Sequence, residues 1–470
     1  LFLKSFRDKI YSPPYVNDLE ELYLIPGASD VDPKSVDTST NFSKNIKLRI
    51  PIASAPMDTV SEWKLAVAVA LMGGIGVIHR NMPVEEQMSN LEKVKRHPPI
   101  PLEPLYLIAF EPCGRAIDLM KKRGVRVIPV VNNQGVFTGY ARYSDLLESC
   151  RDWTEPLAKH VYPGKAYNLL SIEEAYKSII RGETDLVAII DEGGIVIGSI
   201  TVDTVMEDIL PATDPYGRLL VAAAVNPIDI DRALKLDKLS DALVSDVAHF
   251  HNREVLRASA ALVKKISSDF IAGNIGTAEA ALEAISAIDR VDGMRVGVGG
   301  GSICTTPNVA GVFSPTGWAV ASVRDALEEN NLRIPIIADG GLKSSSDIVK
   351  VLALGASSAM TGYLLAGTDE APPEPIEVGG KLYKPYRGMA SYTAMMKRHS
   401  IDRYTRVVKN IPEGVGSLVP YKGSTRSVLR EIIEGIRISM GYVGAKNIEE
   451  LWVKAMFVRA PRKRVLGDEV

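Results

Sequence analysis

Short apolar runs, each ending in small or polar residues, punctuate the chain eight times: Ile50 to Pro56, Gly74 to His79, Leu219 to Val225, Ala242 to Asp246, Asp269 to Asn274, Gly293 to Val298, Ile334 to Gly340 and Ser358 to Gly362. Runs of this kind, each followed by a helix-length segment, fit βα units whose strands are buried in a parallel sheet. Eight units predict an α/β fold of the closed (β/α)8 TIM-barrel type, with the active site at the carboxyl ends of the strands. The near-apolar stretch Leu65 to Ile78 is too short to span a bilayer and contains Gly73, Gly74 and Gly76. It predicts a helix-to-strand turn and no membrane segment.

Two gaps between the runs exceed what a βα loop needs. Roughly 140 residues separate the second run from the third, and they repeat internally. Gly124 to Val131 leads into Gly135 to Gly139, and Asp185 to Ile190 leads into Gly194 to Gly198, each half reading as helix, strand, tight turn, strand, helix. The expected organisation is barrel over 1–94, a paired module over 95–212, and barrel again over 213–470 with a catalytic loop at 297–317. The second gap, Thr368 to about Lys422, is dense in Gly, Pro, Tyr, Arg and Lys and is a candidate lid.

Composition adds exclusions. The 470 residues, 46% hydrophobic and 24% charged, are those of a globular protein. A net charge of -2 supplies no field for nucleic acid or an anionic membrane, and the basic cluster Arg459 to Arg464 reads as a solvated tail. Leu1-Phe2-Leu3-Lys4 lacks the order of a secretion signal, and Cys113, Cys150 and Cys304 are too few for a disulfide framework. A reducing cytoplasm is therefore expected. Glutamine stands only at positions 87 and 134, a mark of heat adaptation that composition drift explains equally well.

The chemistry concentrates where the sixth run ends, in Gly297-Val298-Gly299-Gly300-Gly301-Ser302-Ile303-Cys304-Thr305-Thr306. Consecutive glycines bring backbone amides close to an anion, and Ser302 adds a hydroxyl donor. Cys304 stands where such a turn favours the nucleophilic thiolate. Singly, a glycine-rich loop is a weak signal and a lone cysteine is more often a buried small hydrophobe. Context reverses that preference: Ile337-Ala338-Asp339-Gly340-Gly341 and Met360-Thr361-Gly362 end the last two runs, the recurrent phosphate site of this architecture. Asp339 can accept from two ribose hydroxyls, which points to a nucleotide, because Ser344 to Ser346 suffice to cap the next helix. His79, His249 and His251 lack a companion carboxylate or cysteine set and read as structural, so no transition metal is assigned.

Further segments complete an ordered set: Ser54-Ala55-Pro56-Met57-Asp58-Thr59-Val60, Gly76-Val77-Ile78-His79-Arg80-Asn81, Tyr386-Arg387-Gly388-Met389 and Pro420-Tyr421-Lys422-Gly423. Together with the cysteine loop they resemble the signature segments of inosine-5′-monophosphate dehydrogenases, over nearly the whole barrel. The long gap falls where that family carries its insertion, and its two halves resemble a tandem pair of cystathionine-β-synthase-type (CBS) modules, a Bateman domain. The resemblance implies NAD-dependent oxidation of inosine monophosphate to xanthosine monophosphate, in guanine nucleotide synthesis. It makes Cys304 the nucleophile at purine C2, so that hydride leaves to NAD and water later releases a covalent thioimidate. It assigns Ser302, Gly341, Gly362 and Tyr363 to the phosphate with Tyr386 in support, Asp339 to the ribose, and Gly340 and Arg387 to the same substrate site. Met57 would pack on the base, Gly388, Met389 and Ala390 would offer it backbone groups, and Glu413 would sit beside it. Thr306 would help move protons, and Asp246, Asn274, Gly297, Val298 and Gly299 match the nicotinamide-cofactor side. Arg403, assisted by Tyr404, would activate water, which asks a normally protonated guanidinium for a dry, hydrogen-bonded setting.

The resemblance also implies potassium on the backbone carbonyls of Gly299, Gly301 and Cys304, completed by a neighbouring subunit in a homotetramer or octamer. Here the tail Arg462 to Val470 has no match to the donating segment, so dependence on potassium is expected to be weak. Adenine-nucleotide binding by the paired module is likewise expected to be weak, since Arg142 takes a Thr position and Asp203 is displaced by one residue. Other departures surround the loop: Gly300 stands where proline is common, Pro307 where a polar residue is common, and Phe313-Ser314-Pro315-Thr316-Gly317 replaces a Gly-x-Pro-Gln stretch. Ala390 and Tyr363 replace smaller residues. Two rivals follow, a guanosine-monophosphate reductase, which Arg403-Tyr404 disfavours, and a non-catalytic nucleotide-sensing paralogue, which Cys304, Thr306 and Arg403 disfavour.

Overall fold

The computed structural model describes residues 19–99, 105–123, 125–168, 171–202, 210–392 and 413–461. The expected Asp203, Arg403 and Tyr404 and the tail from 462 lie outside the described residues. The chain divides into two compact units, Lys95–Leu219 and the residues on either side of it.

Each of the eight apolar runs contains one barrel strand: β1 (Ile52–Ser54), β2 (Gly76–Ile78), β3 (Val221–Val225), β4 (Ala242–Ser245), β5 (Asp269–Ile275), β6 (Gly293–Val296), β7 (Ile336–Asp339) and β8 (Ser358–Thr361). They pair in parallel, β2 to β8 in succession and β8 back to β1. A parallel bridge between Ala53 and Ile75 closes the ring, with Ser54 N donating to Ile75 O at 3.0 Å. All residues of β3 and β5 are buried, which is why these runs show no polar alternation. Helices follow the strands with ordinary caps: Asn252 Oδ1 accepts from Glu254 N and Val255 N, Thr277 from Ala280 N, and Ser344 from Asp347 N. Ser344 thus takes the capping role and leaves Asp339 to the barrel mouth.

The inserted unit is a repeat in its turn chemistry as well as its element order. Strands Val127–Val131 and Phe137–Arg142 form one antiparallel hairpin, and Leu186–Ile190 and Val196–Thr201 form the other. In the first turn Asn132 Oδ1 accepts from Gln134 N and Val136 N, and Gly135 has φ 80°. In the second Asp191 Oδ1 accepts from Gly193 N and Ile195 N, and Gly194 has φ 80°. A third, parallel strand flanks each hairpin, Leu107–Ile108 and Lys165–Asn168. The expected last helix of the second half falls outside the described residues. Arg142 is ion-paired with Asp185 at 2.5 Å and stacks over Tyr162 at 4.7 Å.

Two expectations change. Cys113 and Cys150, 37 positions apart, form a disulfide within the inserted unit, with Cα atoms 6.4 Å apart. Sequence reasoning counted cysteines and had no access to which pair the repeat brings together. The candidate lid, for its part, is partly a three-stranded antiparallel sheet of Ile376–Val378, Lys381–Arg387 and Gly416–Pro420. Lys384 anchors this sheet: its fully buried Nζ donates to the carbonyls of Thr368 at 2.6 Å and Ala371 at 2.8 Å. Among the described residues no helix is long and apolar enough to cross a membrane.

Gly76 sets the distance between β2 and the helix Trp63–Leu71, because a Cβ there would lie 2.3 Å from Ala66 Cβ and 2.4 Å from Ala66 Cα. Gly76→Ala must push strand and helix apart, at an overpacking cost of about 1–3 kcal/mol or more. Chemical denaturation should show a lower midpoint with an unchanged slope; an unshifted midpoint would mean the barrel yields at this contact.

Candidate active site

At the carboxyl ends of β2, β4, β5, β6 and β7 the barrel carries charged and amide side chains rather than apolar ones. Arg80 donates from Nε to Asp246 Oδ2 at 3.2 Å and from Nη2 to the Asp246 carbonyl at 3.1 Å. Arg295 donates from Nη1 to Asp246 Oδ1 at 3.1 Å, and from Nε and Nη2 to Asp339 Oδ2, each at 2.8 Å. Asn274 Nδ2 donates to the same Asp339 oxygen at 2.8 Å and to Gly297 O at 2.9 Å. Burial opposes the charge on Arg295, but Asp339 and Asp246 outweigh it and hold the guanidinium above its ordinary pKa. Three donors thus converge on one oxygen of Asp339, and its other oxygen has no hydrogen-bond partner among the described residues.

Gly297 lets β6 pass this close to β7: at φ 131°, a Cβ would stand 2.0 Å from the Asp339 carbonyl. The loop it opens ends in a short hydrogen-bonded relay. Cys304 Sγ donates to Thr306 Oγ1 at 3.2 Å, and Thr306 Oγ1 donates to Glu413 Oε2 at 3.0 Å. The relay is pinned by backbone, since Thr305 N donates to Glu413 O at 3.0 Å and Val415 N to Ile303 O at 3.1 Å. Cys304 is the free thiol among the cysteines and is half-buried. The Gly301 carbonyl, one of three expected to meet potassium, accepts from Cys304 N at 2.9 Å.

The departures in this loop have local reasons. A Cβ on Gly300 would lie 2.8 Å from Thr316 Oγ1, which donates to Gly340 O at 3.0 Å. Pro307 occupies the first turn of the short helix Thr306–Ala310, where a missing N–H costs nothing. Ser314 Oγ donates to Gly276 O at 2.6 Å and ties the loop's far end to β5.

A cleft of ≈ 520 Å³ joins these groups. Its walls include the expected Met57, Ser302, Asp339, Gly340, Gly341, Gly362, Tyr363, Tyr386, Gly388, Met389, Ala390 and Glu413, the expected Asp246, Asn274, Gly297, Val298 and Gly299, and both Cys304 and Thr306. Tyr386 is buried, which pushes its phenol up to about 12, and it is hydrogen-bonded with Ser302. Lys422 donates to the carbonyls of Tyr363 and Leu364 at 2.9 and 3.1 Å, and burial pulls its ammonium down to about 8. Gly388 is committed to the chain, donating to Val415 O at 3.1 Å and accepting from Ser391 N at 2.9 Å.

Arg387 does not line the cleft. Its guanidinium forks onto Asp58, Nε to Oδ1 at 3.0 Å and Nη2 to Oδ2 at 2.5 Å, so it braces the loop after β1. His249, read as structural, lines the cleft beside Asp246, and burial and His251 lower its pKa. Arg295 also lines the cleft, and sequence reasoning passed it over inside an apolar run. A charged residue in the middle of a buried strand was the available signal. For the cofactor side, the buried Asn274 Oδ1 has no partner among the described residues, and an amide donor of the kind a nicotinamide carries would satisfy it.

A family profile described as "IMP dehydrogenase / GMP reductase domain" matches residues 18–465. A relative from Korarchaeum cryptofilum, named inosine-5′-monophosphate dehydrogenase, is 40% identical over 446 residues, covering 93% of this chain and 92% of its own. One of the same name from Thermoplasma acidophilum is 40% identical over 463 residues, 97% of this chain and 94% of its own. A solved GMP reductase from Trypanosoma brucei, in complex with guanosine 5′-monophosphate, superposes with a TM-score of 0.69 at 34% identity, covering 96% of this chain and 97% of that one.

Removing Arg295 leaves the buried Asp246 and the half-buried Asp339 without their shared cation. Arg295→Met should destabilise the barrel by about 3–5 kcal/mol and abolish nucleotide binding through Asp339. Arg295→Lys should recover stability more than affinity, because an ammonium cannot fork between the two carboxylates. Denaturation and calorimetry on both variants check this; full nucleotide affinity in Arg295→Met would show that Asp339 needs no orientation.

Proposed function

The chain belongs to the IMP dehydrogenase / GMP reductase family of oxidoreductases, and from that premise we propose that it oxidises inosine monophosphate to xanthosine monophosphate with NAD. The observation that carries the reading is the relay from Cys304 through Thr306 to Glu413, at 3.2 and 3.0 Å, on the wall of the cleft.

The relay gives the thiol proton a route. As Cys304 Sγ bonds to purine C2, the C2=N3 π bond breaks and its pair moves onto N3, while the thiol proton passes to Thr306 Oγ1 and that of Thr306 to Glu413. C2 then carries both hydrogen and sulfur. Loss of hydride from C2 restores the double bond and leaves a thioimidate on Cys304. A nicotinamide ring held by Asn274 and Gly297 to Gly299 would supply the hydride acceptor. Water then adds at C2, losing one proton to the base that activates it and leaving the other on the purine; the C–S bond breaks, the leaving sulfur takes back the proton held by Glu413 through Thr306, and one proton is released to solvent. Asp339, oriented by Arg295 and Asn274, would accept from the ribose, while Ser302 and the glycines 340, 341 and 362 would surround the phosphate. We propose Arg403, with Tyr404, as the group that activates the water, on the strength of the family's Asp-Arg-Tyr segment.

The solved GMP reductase structure favours one alternative, reductive deamination of a guanine nucleotide with NADPH. A pair of absorbance assays separates the two: NADH should appear with inosine monophosphate, and NADPH should persist with guanosine monophosphate. Protein quenched during turnover should carry a purine adduct on Cys304 by mass spectrometry, and Cys304→Ala should lose turnover while still binding nucleotide. Absence of the adduct from an active enzyme excludes the covalent route.

A base used only for hydrolysis leaves hydride transfer intact. Arg403→Ala should give an NADH burst of one per site followed by turnover slowed by about 10²–10⁴-fold. Loss of the burst together with turnover would place Arg403 in the first step instead.

A further inference from the structure

We propose that the inserted unit holds a second, redox-gated site: once the Cys113–Cys150 disulfide is reduced, Cys113, Cys150, Glu155 and His160 bind one zinc-class divalent ion. The four residues come from separate pieces of the first half. Cys113 opens the helix Cys113–Arg123, Cys150 caps the helix Tyr143–Ser149, Glu155 lies in the following loop, and His160 ends the turn Leu157–His160. One ligand atom each from Cys113, Glu155 and His160 lies within 4.8 Å of the other two. Cys150 Sγ, bonded to Cys113 Sγ, stands outside that group of three and joins it by side-chain rotation once the bond is broken.

The hydrogen bonds around His160 point to a cation. Ser149 Oγ donates to Asp145 O at 2.6 Å, so toward His160 Nδ1, 2.8 Å away, it can only accept. The ring proton is thereby placed on Nδ1, and in the neutral imidazole Nε2 is a lone pair. That lone pair faces Glu155 Oε1 at 3.1 Å. Two acceptors at this distance require a proton or a metal ion between them, and an Nδ1 fixed by an outer partner is the usual arrangement of a ligating histidine.

The sulfurs fit as well. With Zn–S near 2.3 Å, two thiolates on a tetrahedral ion stand roughly 3.8 Å apart, which side-chain rotation alone supplies when the Cα atoms are 6.4 Å apart. The backbone around the four ligands is held without the disulfide: Cys113 N donates to Glu155 O at 2.9 Å, Gly114 N to Trp153 O at 3.1 Å and Leu157 N to Glu111 O at 2.9 Å. Asp152 O lies 3.4 and 3.6 Å from the two sulfurs and can accept from the thiols before metal arrives. Two cysteines, a histidine and a carboxylate in closed tetrahedral geometry suit zinc or cobalt(II). In the reductive step a dithiol transfers two electrons and two protons to the disulfide and itself becomes a disulfide. Metal binding then releases the two thiol protons to solvent, and exchange with an oxidised dithiol, which takes the two electrons back and is reduced, restores the Cys113–Cys150 bond and expels the ion.

The full chain carrying Cys304→Ser, reduced anaerobically with a phosphine, provides a direct test, with cobalt(II) as the probe. Titration should produce thiolate-to-cobalt charge-transfer bands and tetrahedral d–d bands that saturate at one ion per chain and vanish when zinc is added. The same chain left oxidised should show neither. Ser149→Ala should weaken binding by about 10–100-fold as an outer-shell change, and Glu155→Gln and His160→Ala by more. Glu155→Gln keeps the shape of the side chain and so remains informative where a cysteine variant fails to fold. A reduced chain that takes up no cobalt, takes it up without thiolate bands, or binds it equally well after Glu155→Gln overturns the proposal.

Discussion

The barrel mouth depends on one guanidinium. Arg295 lies between Asp246 and Asp339, and Arg80 closes the series on the far side of Asp246. Two carboxylates and two guanidinium groups balance in charge. Each is buried or nearly so, and desolvating any one without its neighbours costs several kcal/mol. The series therefore stands or falls as a unit, and it fixes the ends of four strands relative to one another. Because Asp339 faces the proposed substrate side and Asp246 the proposed cofactor side, one side chain orients groups toward both.

The fold was legible wherever burial alone decides it. All eight barrel strands could be read because both faces of each are covered, so apolar and small residues dominate the runs and polar ones such as Arg295 and Asn274 are exceptions. The repeat in the inserted unit was legible for a different reason: Asn132 with Gly135 and Asp191 with Gly194 perform the same turn, and turn chemistry is local. The strand Lys381–Arg387 was not legible, since Lys-Leu-Tyr-Lys-Pro-Tyr-Arg has neither apolar continuity nor a free N–H at Pro385. Pro385 is tolerated because the pairing with Ile376–Val378 ends at Tyr383 and the strand is an edge beyond it.

The site was legible in its loop and obscure in its supports. Cys304, Thr306, Asp339 and the glycines lie within short segments whose composition is unusual. Arg295 and Arg80 act through partners 44 to 166 positions away in sequence, and nothing near them in the chain announces the pairing. The same holds for Cys113 and Cys150, which only the packing of two helices brings together. Arg387 shows the converse: a recognisable segment marks the residue, and its side chain is spent on Asp58.

The position of Glu413 is a property of backbone before it is one of side chains. Glu413 N donates to Ala390 O at 3.0 Å, and Ser391 and Gly414 form a parallel bridge. The described backbone on either side of 393–412 is therefore stitched together, and Thr305 N binds the Glu413 carbonyl from the cysteine loop. The acid that ends the relay is thus set in register with the cysteine by main-chain pairing, and its carboxylate has only to settle on the Thr306 hydroxyl.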